Sequence, residues 1–215
     1  IGVEIGDTRA IKVNEKMQTN LKDVYAVGDV AEAYQKKKKK PIYLPLATTA
    51  AKMGRVAGDV ITGGDLTFKG ILGTSVVRLF GHTIAGTGMT ETLARTDGFE
   101  PIVLTSVQSD HLSFMGGKDM IIKAIAHPET ERLLGFQLIG PEGVERRIDV
   151  FATAMTANMK ASDLFDIDLA FTPPVSTPKD PVMYTGMALT NAIQNSPLIT
   201  AKELHRCIED SDEIT

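Results

Sequence analysis

The 215-residue chain has no tryptophan and a single cysteine, Cys207. One thiol cannot close an internal disulfide, and sparse cysteine suits a reducing compartment, so a cytoplasmic location is expected. No run approaches the roughly 18 consecutive apolar residues of a membrane span, so no membrane partner is expected. The opening IGVEIGDTRAIKVNEKM has no basic start followed by an apolar core, so it is not expected to be a secretory signal. It also lacks an initiator methionine and begins in mid-pattern, as a piece of a longer chain would. The net charge of −4 gives no reason to expect nucleic acid.

Catalytic signatures are equally sparse. His82, His111, His127 and His205 are scattered with no pair at ligand spacing, so no metal site is expected. No G-x-S-x-G marks a nucleophile, and Cys207 alone in a helical pattern reads as a small apolar filler. The phosphate-cradling G-x-G-x-x-G is missing, and GHTIAGTG (81–88) follows a different pattern that suits tight turns. No catalytic residue is expected within these residues.

Against that background, TNLKDVYAVGDVAE (19–32) stands out. Val24 to Val27 read as a short, fully buried strand ending at Gly28, which permits close backbone approach, and Asp29, placed where open α/β sheets bind ligands. A strand followed by a turn, with Asp29 capping the next helix, accounts for the same residues. Ala10, Ile11, Val13 and Met17 suggest an extended segment and hairpin before it. Lys36 to Lys40 form either an anion patch or, since no aromatics interleave, a solvated hairpin tip. PLATTAAKMGRVAGDVITGG then predicts a helix, with Pro45 just inside its start and Gly63-Gly64 beyond its end. Its small residues allow close packing on a sheet or a ligand.

A second region starts near Gly70. Strands are expected within GTSVVRLFGHTIAGTG and over 101–108, 120–127 and 133–140, the last two as an antiparallel hairpin turning at Pro128. Thr90 to Thr96 is a short capped helix. The segment 142–159 is an amphipathic helix with Val144, Ile148, Phe151 and Met155 on one side and Ala152, Ala154 and Ala157 elsewhere. That apolar side, with the alanines allowing close approach, supports a dimer. A shorter helix near 161–166 and a last one near 182–194 follow. The region is α+β, an antiparallel sheet with helices on one side. In the tail, Thr200 to Glu203 is a capping box opening a helix through Ile208. The acidic cluster behind it ends a tail that is either disordered or the beginning of a further domain.

The order of these segments resembles a known family. TNLKDVYAVGDVAE followed by YLPLATTAAKMGRVAG is similar to the second flavin-binding segment of the FAD-dependent pyridine nucleotide-disulfide oxidoreductases. GTSVVRLFGHTIAGTGMTETLA, LLGFQLIGPEGVERRIDVFATAM and FTPPVSTPKDPVMYTGMA resemble the dimerisation domain of that superfamily, in the branch of NADH oxidases and coenzyme A-disulfide reductases. The resemblance covers residues 1–194. It implies the α/β end of an FAD-binding domain (1–69), an α+β dimerisation domain (70–194) and a tail (195–215). It implies FAD as cofactor, held by Gly28, Asp29, Pro45, Leu46, Ala47 and Thr48, with Asp29 accepting from the ribityl chain. NAD(P)H would be the electron donor, a small molecule (oxygen, coenzyme A disulfide or a persulfide) the acceptor, and the assembly a homodimer. The redox cysteine and the NAD-binding domain would lie outside this chain, which alone would be inactive. FTPPVSTPKDP would approach the partner's active site, where Phe171 and, in a looser match, Phe114 stand in place of tyrosines. Both phenylalanines fit equally well as apolar interface residues. LITAKELHRCIED (198–210) is similar to the first strand and helix of a rhodanese domain. A dimerisation or scaffold module without cofactor is the non-enzymatic alternative.

Overall fold

The computed structural model describes residues 2–194, 196 and 198–210. Its N-terminal part is built from few regular elements. Ile5 bridges Ile11, Ile11 bridges Ala31, and Gln18 bridges Tyr25. The segment 24–27 is therefore not the fully buried strand its apolar run suggests. It is the return arm of a loose hairpin, with the Ala26 amide donating to the Met17 carbonyl at 3.1 Å and Val24 exposed. A buried strand needs ladders on both edges, and here one edge has a single bridge.

Strands β1 (Ala33–Gln35) and β2 (Lys40–Ile42) pair antiparallel, and the lysine run is their turn. Buried Gln35 holds that turn: its Oε1 accepts from the amides of Lys37 and Lys38 at 2.6 and 2.7 Å. Helix α1 (Ala47–Ile61) lays Met53, Val56 and Ala57 over Met17, Ala26 and Ile71. It begins two residues later than Pro45 implies, because Leu46 is its extended N-cap and Pro45 lies outside.

The second region is a five-stranded antiparallel sheet in the order β3-β4-β7-β6-β5. The strands are β3 (Ser75–Leu79), β4 (His82–Gly88), β5 (Ile102–Ser109), β6 (Asp119–Ala126) and β7 (Leu133–Gly140). Alternation puts Met120, Ile122, Ala124 and Leu138 on one face, where α3 (Val144–Thr156) and α4 (Pro181–Ile193) cover them. The Phe136 and Phe151 rings stack there at 3.9 Å. Thr90 caps the short α2 (Glu91–Thr96), which shields Met89, Ile125 and Leu134 in a separate cluster. The expected helix near 161–166 is a single 3-10 turn, Ser162–Leu164.

Val144, Ile148, Phe151 and Met155 are all buried against the chain's own sheet. The apolar stripe of α3 thus serves the core and is no support for contact with a partner. In the tail, α5 (Ala201–Glu209) carries the full capping box of Thr200 and Glu203, with Leu204 and Ile208 exposed. The acidic residues Asp212 and Glu213 lie outside the described residues. Among the described residues no helix is long and apolar enough to cross a membrane, and no group of three metal-ligating side chains occurs.

Candidate functional site

Gly28, Asp29 and Val30 form one 3-10 turn. Gly28 has φ +73°, in the left-handed region, and a Cβ there would sit 3.4 Å from that of Ala50. The turn thus lies against the first turn of α1. Asp29 does not cap a helix. Its carboxylate is exposed and has no hydrogen-bond partner among the described residues.

The start of α1 is equally short of partners. Leu46 offers no side-chain acceptor, the first turn holds no acidic residue, and the first helical bond is Ala50 amide to Leu46 carbonyl at 2.9 Å. The amides of Ala47, Thr48 and Thr49 have no acceptor among the described residues. Leu46, Ala47 and Thr48 also face Ile148, Ala152 and Thr156 across a cleft of about 990 Å³, which Gly28 and Asp29 do not line. The expected set therefore splits: Gly28 meets the helix start beside Ala50, while the outer side of that start opens toward α3. The expected donors, the amides of Leu46, Ala47 and Thr48, all lack an acceptor among the described residues, and Thr49 adds a fourth.

Phe114 sits on the 3-10 turn Ser113–Met115 between β5 and β6 and is 82% exposed. Phe171 opens the segment 171–180 and is 47% exposed. The roots of both loops meet at a buried charge cluster that the sequence reading missed. Arg147, 2% exposed, donates from Nη2 to Asp180 Oδ2 (2.9 Å), Ser176 Oγ (3.1 Å) and the Asp110 carbonyl (2.8 Å). Its Nη1 reaches the Gly143 carbonyl at 3.2 Å. Burial pushes the Asp180 carboxyl up. Hydrogen bonds from Ser176, the Val182 amide and Arg147 outweigh it and hold the group below the usual carboxylate range. Asp110 behaves alike: burial opposes ionisation, and the Lys118 amide and His111 prevail. A signal for this cluster existed. Arg147 lies three residues after Val144 and four before Phe151, on the apolar stripe of α3, where a charge calls for a buried partner.

The sequence signature of the pyridine nucleotide-disulphide oxidoreductase dimerisation domain matches residues 74–181. That of the pyridine nucleotide-disulphide oxidoreductases matches residues 1–54. The chain belongs to this family. It is 40% identical over 192 residues to the NAD(P)H sulfur oxidoreductase (CoA-dependent) of Pyrococcus abyssi, covering 88% of this chain and 42% of that protein. Reduced CoADR-RHD of Bacillus anthracis matches with a TM-score of 0.93 at 34% identity, over 97% of this chain and 38% of that one. An NAD-dependent persulfide reductase from A. fulgidus matches with a TM-score of 0.91 at 33% identity, over 95% and 38%. The chain thus spans about two fifths of the length of the family members it matches.

Proposed function

We propose that these residues are the C-terminal part of an FAD-dependent NAD(P)H oxidoreductase that delivers electrons to sulfur, in a disulfide or persulfide of the coenzyme A class. The division would be 1–69 for the end of the FAD-binding domain, 70–194 for the dimerisation domain of a homodimer, and 195–215 for a tail opening a rhodanese domain. The observation that carries the reading is the pair of unsatisfied groups at 28–29 and 47–49: an exposed acceptor carboxylate and a helix start whose amides lack acceptors, packed against each other in a chain of this family. Relatives at 33–40% identity are named for sulfur acceptors, which favours sulfur over oxygen.

The residues fit the flavin. An ionised carboxylate only accepts, which suits the ribityl hydroxyls for Asp29, and the missing side chain of Gly28 leaves them room. The α1 amides and helix dipole would favour negative charge on the pyrimidine edge, worth about 0.3–1 kcal/mol for a helix terminus. When bound, FAD would carry the electron pair from NAD(P)H to the acceptor. Pro45 and Leu46 set the entry of the chain into α1 and so the aim of those amides. Phe114 and Phe171 would press on the partner subunit's site as apolar walls. Neither has a hydroxyl to donate, so the proton for a leaving thiolate comes from another group. A redox cysteine and an NAD-binding fingerprint are expected elsewhere in the full-length protein, and the activity is proposed for that protein.

The test is an absorbance spectrum of the full-length protein, followed by anaerobic NADH titration. A flavin band that bleaches, and returns with coenzyme A disulfide or a coenzyme A persulfide faster than with air, supports the proposal. A protein that stays colourless after added FAD refutes it and leaves a scaffold role.

A further inference from the structure

Adjacent residues of α3 hold two loops at once. Arg146 Nη2 donates to the Ala170 carbonyl at 2.7 Å, at the start of the segment leading to α4. Arg147 grips the other end of that segment, at Ser176 and Asp180, and reaches the Asp110 carbonyl at the root of the Phe114 loop. Asp180 is shared, because its Oδ1 caps α4 through the Val182 amide while its Oδ2 takes Arg147. Apart from the Val182 and Tyr184 amides, which both donate to Asp180 at the start of α4, the hydrogen bonds that 170–180 makes to the rest of the protein, among the described residues, come from these two arginines.

We infer that Arg146 and Arg147 form a clasp that fixes 110–118 and 170–180 as one rigid surface, and that this surface orients the sulfur acceptor. The second half rests on the proposed function. The first rests on geometry alone. Both arginines are positioning residues that act through the loops they hold.

A buried ion pair gains little stability over an apolar filling, and Val144, Ile148 and Phe151 already supply apolar contact along the same stripe. What the guanidinium adds is a planar fork that meets several acceptors in fixed directions, which an ammonium does not reproduce. The backbone is shaped around it. Gly143 has φ +75°, and a Cβ there would fall 2.5 Å from Arg147 Nη1 and 2.7 Å from Asp110 Cβ, so a side chain would displace the clasp. The segment it holds has no strand or helix of its own between Leu164 and Pro181. Without the clasp, Phe171 would hang on a chain tethered mainly at its ends.

The experiment uses the full-length, FAD-loaded protein with Arg146→Ala, whose side chain is partly exposed, and Ser176→Ala, which removes one Arg147 partner and keeps the charges paired. Hydrogen exchange over 170–180 is expected to speed up by about tenfold or more in Arg146→Ala and less in Ser176→Ala. The KM for coenzyme A disulfide should rise by about tenfold while anaerobic flavin reduction by NADH changes less than about twofold. Arg146→Lys, which keeps a donor near Ala170, should restore much of that KM. Exchange that stays unchanged in a folded variant overturns the clasp. Faster exchange with an unchanged KM overturns its role in acceptor orientation. If the unmutated protein reduces neither coenzyme A disulfide nor a coenzyme A persulfide, the proposed function fails, and the exchange data still decide the clasp.

Discussion

Replacing Asp180 by asparagine isolates the charge of the buried cluster. Asparagine is as good an N-cap as aspartate, so the bond from the Val182 amide survives and α4 keeps its start. What is lost is the counter-charge of Arg147, whose side chain is 2% exposed, as that of Asp180 is 4%. Removing one partner of a buried pair costs about 3–5 kcal/mol, because the other charge stays desolvated. Three neutral acceptors remain on the guanidinium, at Asp110, Ser176 and Gly143. They place the expected cost at the lower end, about 3 kcal/mol. In a domain of this size that lowers the melting temperature by about 6–12 °C. Arg147→Met removes the charge and keeps most of the volume, so the Asp180→Asn/Arg147→Met double variant should be less destabilised than the sum of the single changes. The assay is thermal unfolding followed by circular dichroism, on all four combinations. A cost under about 1 kcal/mol for Asp180→Asn, or strictly additive effects, would refute the assignment of Arg147 and Asp180 as a coupled buried pair.

Three further outcomes are expected. In the full-length protein, Asp29→Ala should weaken FAD binding by about 1–3 kcal/mol, read as flavin lost on dialysis; full retention would remove Asp29 from the flavin contacts. Phe151→Ala should cost about 3–5 kcal/mol, since it empties the stack on Phe136, and a charged residue there should unfold the domain rather than release monomers, which sedimentation separates from a dissociated but folded chain. The pH dependence follows from Asp110 and Asp180. Both carboxyls lie below their ordinary values in the folded state, so the unfolded chain binds more protons in the acid range. Their stabilisation is complete above the usual carboxylate values and is lost as pH falls through the folded ones. Thermal scans down the acid range should show a shallower loss in Asp180→Asn than in the parent protein.

Much of this molecule is legible in its sequence, for physical reasons. The strands at 101–108, 120–127 and 133–140 alternate or run apolar between turn residues, and the helix at 142–159 repeats its apolar positions every three to four residues. Such local patterns determine which element forms and which side it buries, and the sheet and helices follow them. Caps are read with similar ease: Thr90 and the Thr200–Glu203 box satisfy amides within a few residues of themselves. The stretch 24–27 misled, because whether an apolar run becomes a ladder strand depends on what lies beside it, and sequence alone does not name the neighbour. The direction of the α3 stripe was also beyond reach. Periodicity says that one side of the helix is buried, but packing on β4 and β7 decides that the chain's own sheet buries it. The same limit applies to the candidate site. Gly28, Asp29 and the start of α1 are visible as a pattern, and only folding brings Gly28 against Ala50. The clasp joins residues 110, 147 and 180, which share no local signal beyond one charge on an apolar stripe. Distances in sequence of 33 and 37 residues close to hydrogen-bond length only when helix, hairpin and loop pack together, so the tertiary structure alone decided it.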